Sequence, residues 1–353
     1  MASLTESAYY TRKILKWSAI GLVVFFLLKL TFSLGKNFYY RLRPPRQPEP
    51  TVVFGKLPAL KFPETTDLPV LTYNLETISG GLEPLDQIQY VYFIPKKVNS
   101  YLTLDQAKEK AARLGFKGEP INVANISPTT FQWRTGNPIA SSLTMEIVEQ
   151  TFNYRYDFER DQTLINNPNL VTVDQALRKT KSFLSRGDFL PEDINSGPAE
   201  FIYLNYNQPE FNQVLAVTDA DFIRVNLYRK AINNLEVFPA DPDLANVSAL
   251  ISRSEQQGVV ELKYSYFTVQ YDVAGTYPLK SSTEAWTELK QGKGYIARLG
   301  ENTSNQATIR KVYLGYYDPP DQQNFLQPIF VFEGDQNFLA YIAAVKNEWV
   351  SQN

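Results

Sequence analysis

Thr103-Leu104-Asp105-Gln106-Ala107 recurs as Thr172-Val173-Asp174-Gln175-Ala176 and, more loosely, as Ser281-Ser282-Thr283-Glu284-Ala285. Each copy has the S/T-x-x-E/Q spacing of a capping box. In such a box a hydroxyl takes a backbone N–H at a helix start, and the Glu or Gln side chain reaches back to another. Each copy runs into a short helical pattern that ends near a glycine: Gly115, Gly187 and Gly292. Asp105 and Asp174 fall in the first turn, where the helix dipole favours a negative charge.

Strand-type segments surround these helices. Phe131 to Arg134 and Leu143 to Phe158 read as a hairpin turning at Thr135-Gly136-Asn137, and Phe152 to Phe158 alternates aromatic and polar residues with period 2. Phe222 to Tyr228 and Leu235 to Phe238 flank Asn233-Asn234. Val247 to Ser252 and Val259 to Val269 flank Glu255-Gln256-Gln257-Gly258. Val312 to Tyr317 and Ile329 to Phe332 flank a Pro-Pro-Asp turn, and Phe338 to Val345 closes the chain as a strand or short helix. The expected fold class is α+β: antiparallel sheet with short helices packed on one face. The turn-rich Asn195-Ser196-Gly197-Pro198 predicts a boundary between a domain over 70–197 with two helix repeats and a second over 198–353.

The capped-helix-on-sheet repeat resembles the PepSY class of small extracytoplasmic modules. The C-terminal half is similar to the YycI and YycH family of regulatory proteins. That likeness rests on Phe222 to Pro239, Gly258 to Tyr271, Tyr277-Pro278-Leu279-Lys280-Ser281-Ser282-Thr283-Glu284-Ala285-Trp286, Ile309 to Tyr317 and Gln327-Pro328-Ile329-Phe330-Val331-Phe332. The resemblance covers residues 100 to 345. It implies one N-terminal membrane helix, an extracytoplasmic part built of PepSY-like units, and contact with a membrane sensor kinase without catalysis. That family has no catalytic residues to carry over. The 69-residue offset between the first two copies and the proline-rich segment described next are not matched by the family.

Ahead of these units, residues 36–69 hold a proline-rich stalk. Seven prolines, 44, 45, 48, 50, 58, 63 and 69, fall in the 26 residues from Pro44. Proline fixes φ and lacks an N–H, so the segment is expected to be extended, reaching ~80 Å at ~3.1 Å per residue. Its second half, from Val52-Val53-Phe54-Gly55-Lys56-Leu57-Pro58, alternates as if lying against the folded body; its first half reads as a spacer.

A short tail, 1–13, precedes a span over 14–35. Ile14 to Leu34 carries only two charges, Lys16 and Lys29, and is long enough to cross ~30 Å of hydrocarbon. Trp17, with Tyr39 and Tyr40 beyond the span, read as interfacial anchors, and Lys29 is placed to snorkel. Both flanks are basic, so charge alone does not orient the helix. The short basic tail before it and the roughly 300 residues after it point to a cytoplasmic N-terminus and an extracytoplasmic body. A cleaved signal peptide, with Ser33-Leu34-Gly35 as the cut site, competes; resumed apolarity after Lys29 favours an intact anchor.

There is no His and no Cys in 353 residues. This excludes His- or Cys-ligated metal, Cys nucleophiles, His-dependent triads and disulfides. Net charge is −2, without the basic bias that nucleic-acid binding requires. No cofactor or metal is expected. Lys280 beside Ser281 and Ser282 invites a Ser–Lys dyad, but Ser281 already caps a helix. Asp219 and Asp221, Asp241 and Asp243, and Asp318 to Asp321 are turn carboxylates open to calcium but without EF-hand spacing. Glu333-Gly334-Asp335 reads as a hairpin turn, and Asn246-Val247-Ser248 and Asn302-Thr303-Ser304 are chance-level sequons. Tyr264, Tyr266, Tyr271, Tyr313, Tyr316 and Tyr317 are the expected partner-binding surface, one side of each alternating set facing core and the other a protein partner. The expectation is thus a membrane-anchored, non-enzymatic envelope protein. The competing reading is a glycan hydrolase with a carboxylate pair.

Overall fold

A computed structural model of the chain describes residues 15–18, 20–22, 24–32, 49–64, 69–136, 139–165, 169, 171–255, 257–301 and 305–351. Tyr39, Tyr40, the spacer half of the stalk as far as residue 48, Ser33-Leu34-Gly35, Asn137 and the sequon at Asn302 lie outside them. The chain divides into two units, Met1–Glu49 and Pro50–Asn353.

In the first unit, helix α1 (Leu15–Phe32) is 18 residues long and apolar enough to cross a membrane. Its described large apolar side chains are all exposed, from Leu15 to Phe32, and so are Trp17 and Lys29. A helix with no buried face in its own fold needs another apolar medium, as a membrane anchor or a signal sequence does.

The second unit opens with β1 (Leu57–Pro58), β2 (Thr72–Leu75), β3 (Ile88–Phe93) and helix α2 (Thr103–Arg113). Then come β4 (Ile121–Asn122), β5 (Thr130–Thr135), β6 (Ser141–Glu146) and β7 (Thr151–Tyr156). Three helices follow: α3 (Gln162–Ile165), α4 (Val173–Arg186) and the single turn α5 (Glu192–Asn195). The next run is all strand: β8 (Ala199–Asn207), β9 (Glu210–Val214), β10 (Phe222–Leu227), β11 (Val237–Pro239), β12 (Val247–Ser252), β13 (Val259–Tyr264) and β14 (Gln270–Pro278). Helix α6 (Ser282–Lys290) leads to β15 (Tyr295–Arg298), β16 (Gln306–Asp318), β17 (Phe325–Gly334), β18 (Leu339–Ala343) and β19 (Val350–Ser351).

Among the described residues these strands make two large, mostly antiparallel sheets, so the unit is mixed α+β with few helices. The first sheet runs β4-β5-β6-β7-β13-β12-β10-β8-β9. The boundary expected near Asn195-Ser196-Gly197-Pro198 falls inside it: β7 pairs with β13, Phe152 opposite Tyr264 and Arg155 opposite Glu261. Turn chemistry at Gly197 ends α5, but the hydrogen-bonded ladder continues across it. In the second sheet, β11-β16-β17-β18-β15, β2 and β11 join β16 in parallel, and β3 bridges β14 to β17.

Helices α2 and α4 pack on the first sheet. Ala107 and Ala111 of α2 and Ala176, Phe183 and Leu184 of α4 share a core with Trp133, Leu143, Met145 and Phe152. Each fully buried Phe or Leu contributes roughly 1.5–3 kcal/mol of transfer free energy. Helix α6 covers the second sheet, Ala285 and Leu289 meeting Phe330, Phe332 and Ile342. The stalk's second half is part of this unit. Leu57–Pro58 pairs in parallel with Val350–Ser351, and Val52 donates to the Thr276 carbonyl at 3.0 Å.

Complete capping boxes form at Thr172/Gln175 and Ser281/Glu284. The expected box at Thr103/Gln106 does not. That helix begins one residue earlier, with Leu102 at the N-cap, and the Thr103 hydroxyl accepts the Ser100 N–H at 2.9 Å instead. The hydroxyl is engaged by the preceding turn and is one position too deep to cap. The segment from Leu143 to Phe158, read as one arm of a hairpin, is two paired strands, β6 and β7.

Glu284 accepts the Ser281 backbone N–H at 2.6 Å and its hydroxyl at 2.8 Å, which hold its carboxyl below the usual glutamate range. A carboxyl with a depressed folded-state pKa contributes stability above its unfolded pKa, about 4.3, and loses it as pH falls through the folded value. Glu284→Gln keeps an acceptor and cannot titrate. The gap in urea midpoint between wild type and this variant should therefore narrow from about pH 6 to about pH 3; a gap that stays constant would rule out the titration.

Candidate functional site

Strand β10 is largely buried, and the chain runs from its end directly into Tyr228 and Arg229. Arg229 is 2% exposed. Its Nε donates to Asp318 Oδ1 at 2.9 Å, its Nη1 to Asp193 Oδ2 at 2.7 Å and its Nη2 to the Phe267 carbonyl at 2.6 Å. The guanidinium lies 4.2 Å from the centre of the Tyr266 ring. The hydroxyls of Tyr266 and Tyr271 both donate to Asp193, at 3.0 and 2.9 Å. Burial works against the Arg229 charge, but Asp318 and Asp193 outweigh it and hold the pKa above its ordinary value. Burial pushes the Asp318 carboxyl up, and Arg229 and Asn246 pull against it. Gly197 is required here, because a Cβ on it would collide with the Tyr228 carbonyl.

Beside this hub, between β11, β16 and β17 and the start of β8, lies a groove of about 450 Å³. Tyr228, Phe238 and Tyr313 form its aromatic wall, and Glu200, Glu236 and Glu333 are its carboxylates. Tyr228 donates to Glu200 at 2.8 Å, and Tyr313 to Glu333 at 3.3 Å. Burial raises the pKa of both phenols and the neighbouring carboxylates raise it further, so both remain neutral donors. Lys311 pairs with Glu333 at 3.0 Å and Arg298 with Asp243 at 2.6 Å. Glu236 is exposed and makes no ion pair among the described residues. The Phe238 ring lies directly on Gly315, where a Cβ would sit 2.7 Å from it. An adjoining hollow shares Glu236, Tyr313 and Glu333 and opens towards Pro84.

Of the six tyrosines expected at a partner surface, Tyr313 lines this groove and Tyr271 is 42% exposed. The other four are core. Tyr264 packs against Phe152 and Phe189, Tyr266 underlies Arg229, Tyr316 donates to the Tyr90 carbonyl at 3.0 Å, and Tyr317 lies between Phe62 and Tyr341. Both faces of β16 are covered at its C-terminal end, so alternation exposes neither Tyr316 nor Tyr317.

The other candidates are accounted for by local partners. Lys280 Nζ is held by Glu288 at 2.8 Å, not by a serine. Asp221 accepts Asn205 and the Tyr206 N–H, and Asp241 accepts the Asp243 N–H. Asp335 pairs with Arg310. Asn246 is buried, its amide donating to the Asp318 and Pro319 carbonyls, so its sequon is closed. No group of His, Cys, Asp or Glu side chains among the described residues is arranged to hold a metal. Arg229, Asp193, Glu200, Glu236 and Phe238 carry no motif; the available signal was an arginine just after the mostly apolar Phe222–Leu227.

No family model and no curated protein matches the chain. The solved structures that resemble it include the following two. The C-terminal domain of YpeB from Bacillus megaterium is 12% identical, with 72% of this chain and 100% of that one covered and a TM-score of 0.33. An uncharacterized protein from Eubacterium rectale is 10% identical, with 74% and 82% covered and a TM-score of 0.32. Likenesses of this size carry no statement about activity or ligand.

Arg229→Met strands Asp318 as a buried unpaired carboxylate and should destabilise by about 3–5 kcal/mol, whereas Arg229→Met/Asp318→Leu should recover much of that. Urea unfolding of both variants checks this, and equal losses would refute the pairing account. The Tyr317 hydroxyl is buried without a hydrogen-bond partner. Tyr317→Phe should then be neutral or stabilising by up to about 1 kcal/mol; a loss of stability in thermal melts would count against that.

Proposed function

We propose that this chain is a single-pass membrane protein with a cytoplasmic N-terminus and an extracytoplasmic body of PepSY-like, YycI-like character. The body is non-enzymatic and holds a protein partner in or near the membrane, in the groove walled by Tyr228, Phe238 and Tyr313. The apolar helix α1 ahead of one folded body supports the anchor. The observation that carries the binding role is the groove's pairing of an aromatic wall with three carboxylates. Two of these, Glu200 and Glu333, are already oriented by tyrosine hydroxyls. Glu236 is left to meet a cation, and an aromatic wall beside it suits an Arg or Lys stem and head. The occupant is an extended partner segment presenting a basic side chain, which complements the groove's charge.

The second reading, glycan hydrolysis by a carboxylate pair, draws on the same Glu200, Glu236 and Glu333. A photo-crosslinking residue in place of Tyr313, in the full chain in intact membranes, separates the two. The binding role expects one discrete protein adduct, absent when the crosslinker replaces exposed Ile126, and reduced about fivefold or more by Glu236→Lys. An adduct indifferent to Glu236→Lys, or turnover of envelope glycan that Glu236→Gln abolishes, would overturn it.

A further inference from the structure

Helix α4 borders a second cleft, of opposite character. Helix α4 lines it with Arg178, Lys179, Ser182 and Arg186, spaced so that successive turns face the same hollow. The cleft measures about 600 Å³. Its floor is aromatic: Tyr154 packs 4.9 Å from Phe183 and 6.1 Å from Phe116, centre to centre. Thr135 and Ser141, from the ends of β5 and β6, face the helix across it, with Glu255 and Gln257 of the β12–β13 turn.

Arg178 and Arg186 are exposed, and neither makes an ion pair among the described residues. The Arg186 guanidinium lies over the Phe183 ring at 5.4 Å, so its N–H edges remain available to an in-plane acceptor. Lys179 is half-buried. Its ammonium donates to the Ser254 carbonyl at 2.8 Å, and burial lowers its pKa. Gly258 admits that side chain, since a Cβ there would sit 2.7 Å from Lys179 Cδ. The Tyr154 hydroxyl accepts from the Gln257 amide at 2.9 Å, which fixes the floor.

Three cations against Glu255 leave a formal charge of +2 at the cleft. A phosphomonoester carries about −1.5 to −2 at neutral pH and offers three acceptor oxygens, which two guanidinium forks and an ammonium match. The facing hydroxyls and the aromatic floor leave room for a polar body attached to that group. We infer that the α4 cleft is a binding site for a phosphate group, held by Arg178, Lys179 and Arg186. The inference is independent of the partner groove, which shares no lining residue with this cleft and is lined by carboxylates.

Calorimetric titration of the full chain in non-ionic detergent tests it, with inorganic phosphate, glucose 1-phosphate and glucose as probes at constant ionic strength. Saturable binding of inorganic phosphate, glucose 1-phosphate or both is expected, and none of glucose. If glucose 1-phosphate binds more tightly, the phosphate is one carried on a larger body; equal affinities assign the site to the free anion. Arg178→Gln/Arg186→Gln should weaken binding by about tenfold or more, Arg178→Lys/Arg186→Lys should restore part of it, and Lys290→Gln on α6 should change it by less than about twofold. No saturable binding of either phosphate probe would overturn the inference. So would an unchanged affinity in the Gln double variant, or an equal loss in Lys290→Gln.

Discussion

Arg229 holds the two sheets of the body to one another. It closes β10 of the first sheet and reaches Asp318 at the end of β16 in the second, Asp193 on α5 and the carbonyl of Phe267 in the connection to β14. A fully desolvated guanidinium is tolerable only where its donors are met, and here three are met by two carboxylates and a carbonyl while Tyr266 covers its face. Everything near it follows from that demand. Gly197 has no side chain because the Tyr228 carbonyl occupies that space, and Asn246 is buried because its amide holds the backbone at Asp318 and Pro319. The groove lies beside this seam, and Arg229 is among its lining residues together with Tyr228 and Phe238.

Much of the architecture was legible wherever a local rule acts alone. Thr172 and Ser281 cap the helices that their spacing predicts, and β12–β13 and β16–β17 are the hairpins their turns announce. Thr103 has the same spacing and fails because Ser100 takes its hydroxyl, a competition between two local rules that sequence cannot rank. What was illegible is non-local. Strands β2 and β11 add to β16 in parallel from far along the chain, and their short sequences bear no period to betray it. The β7–β13 ladder crosses a segment whose Gly and Pro read as a boundary because turn residues mark a change of direction, not the end of a sheet.

The site was less legible than the fold, for a related reason. Period 2 separates two faces of a strand but does not say that both are covered. Tyr316 and Tyr317 point to opposite sides of β16, and each enters a core, one with Tyr92 and one with Tyr341. Tyr313 is half-buried, lying just beyond the stretch from Tyr316 to Asp318 that β11 pairs with. Tyr271 escapes burial through the irregular register between Gln270 and Ala274, which displaces it from the ladder with β3. Accessibility along these strands is thus set by where neighbouring strands end, a property of other parts of the chain.

The way the chain enters the body bears on an anchored role. Immediately after Pro50, Thr51 and Val52 hydrogen-bond to Thr276, the Tyr277 hydroxyl bridges the Phe54 N–H and the Gly55 carbonyl, and Leu57 is fully buried beside the last strand. Gln327 and Ser351 bind the carbonyls of Pro58 and Leu57, and Phe62 stacks on Tyr295 at 5.0 Å. Proline alone would leave this stretch extended and loose; its apolar alternates, Phe54, Leu57 and Phe62, supply the burial that fixes it. A pull on the N-terminal side of Pro50 therefore loads β14, β17 and β19 directly and not a free linker. Strand β17 also lines the groove through Glu333, so the segment entering at Pro50 and the groove share one strand, and a load on the first bears on the geometry of the second.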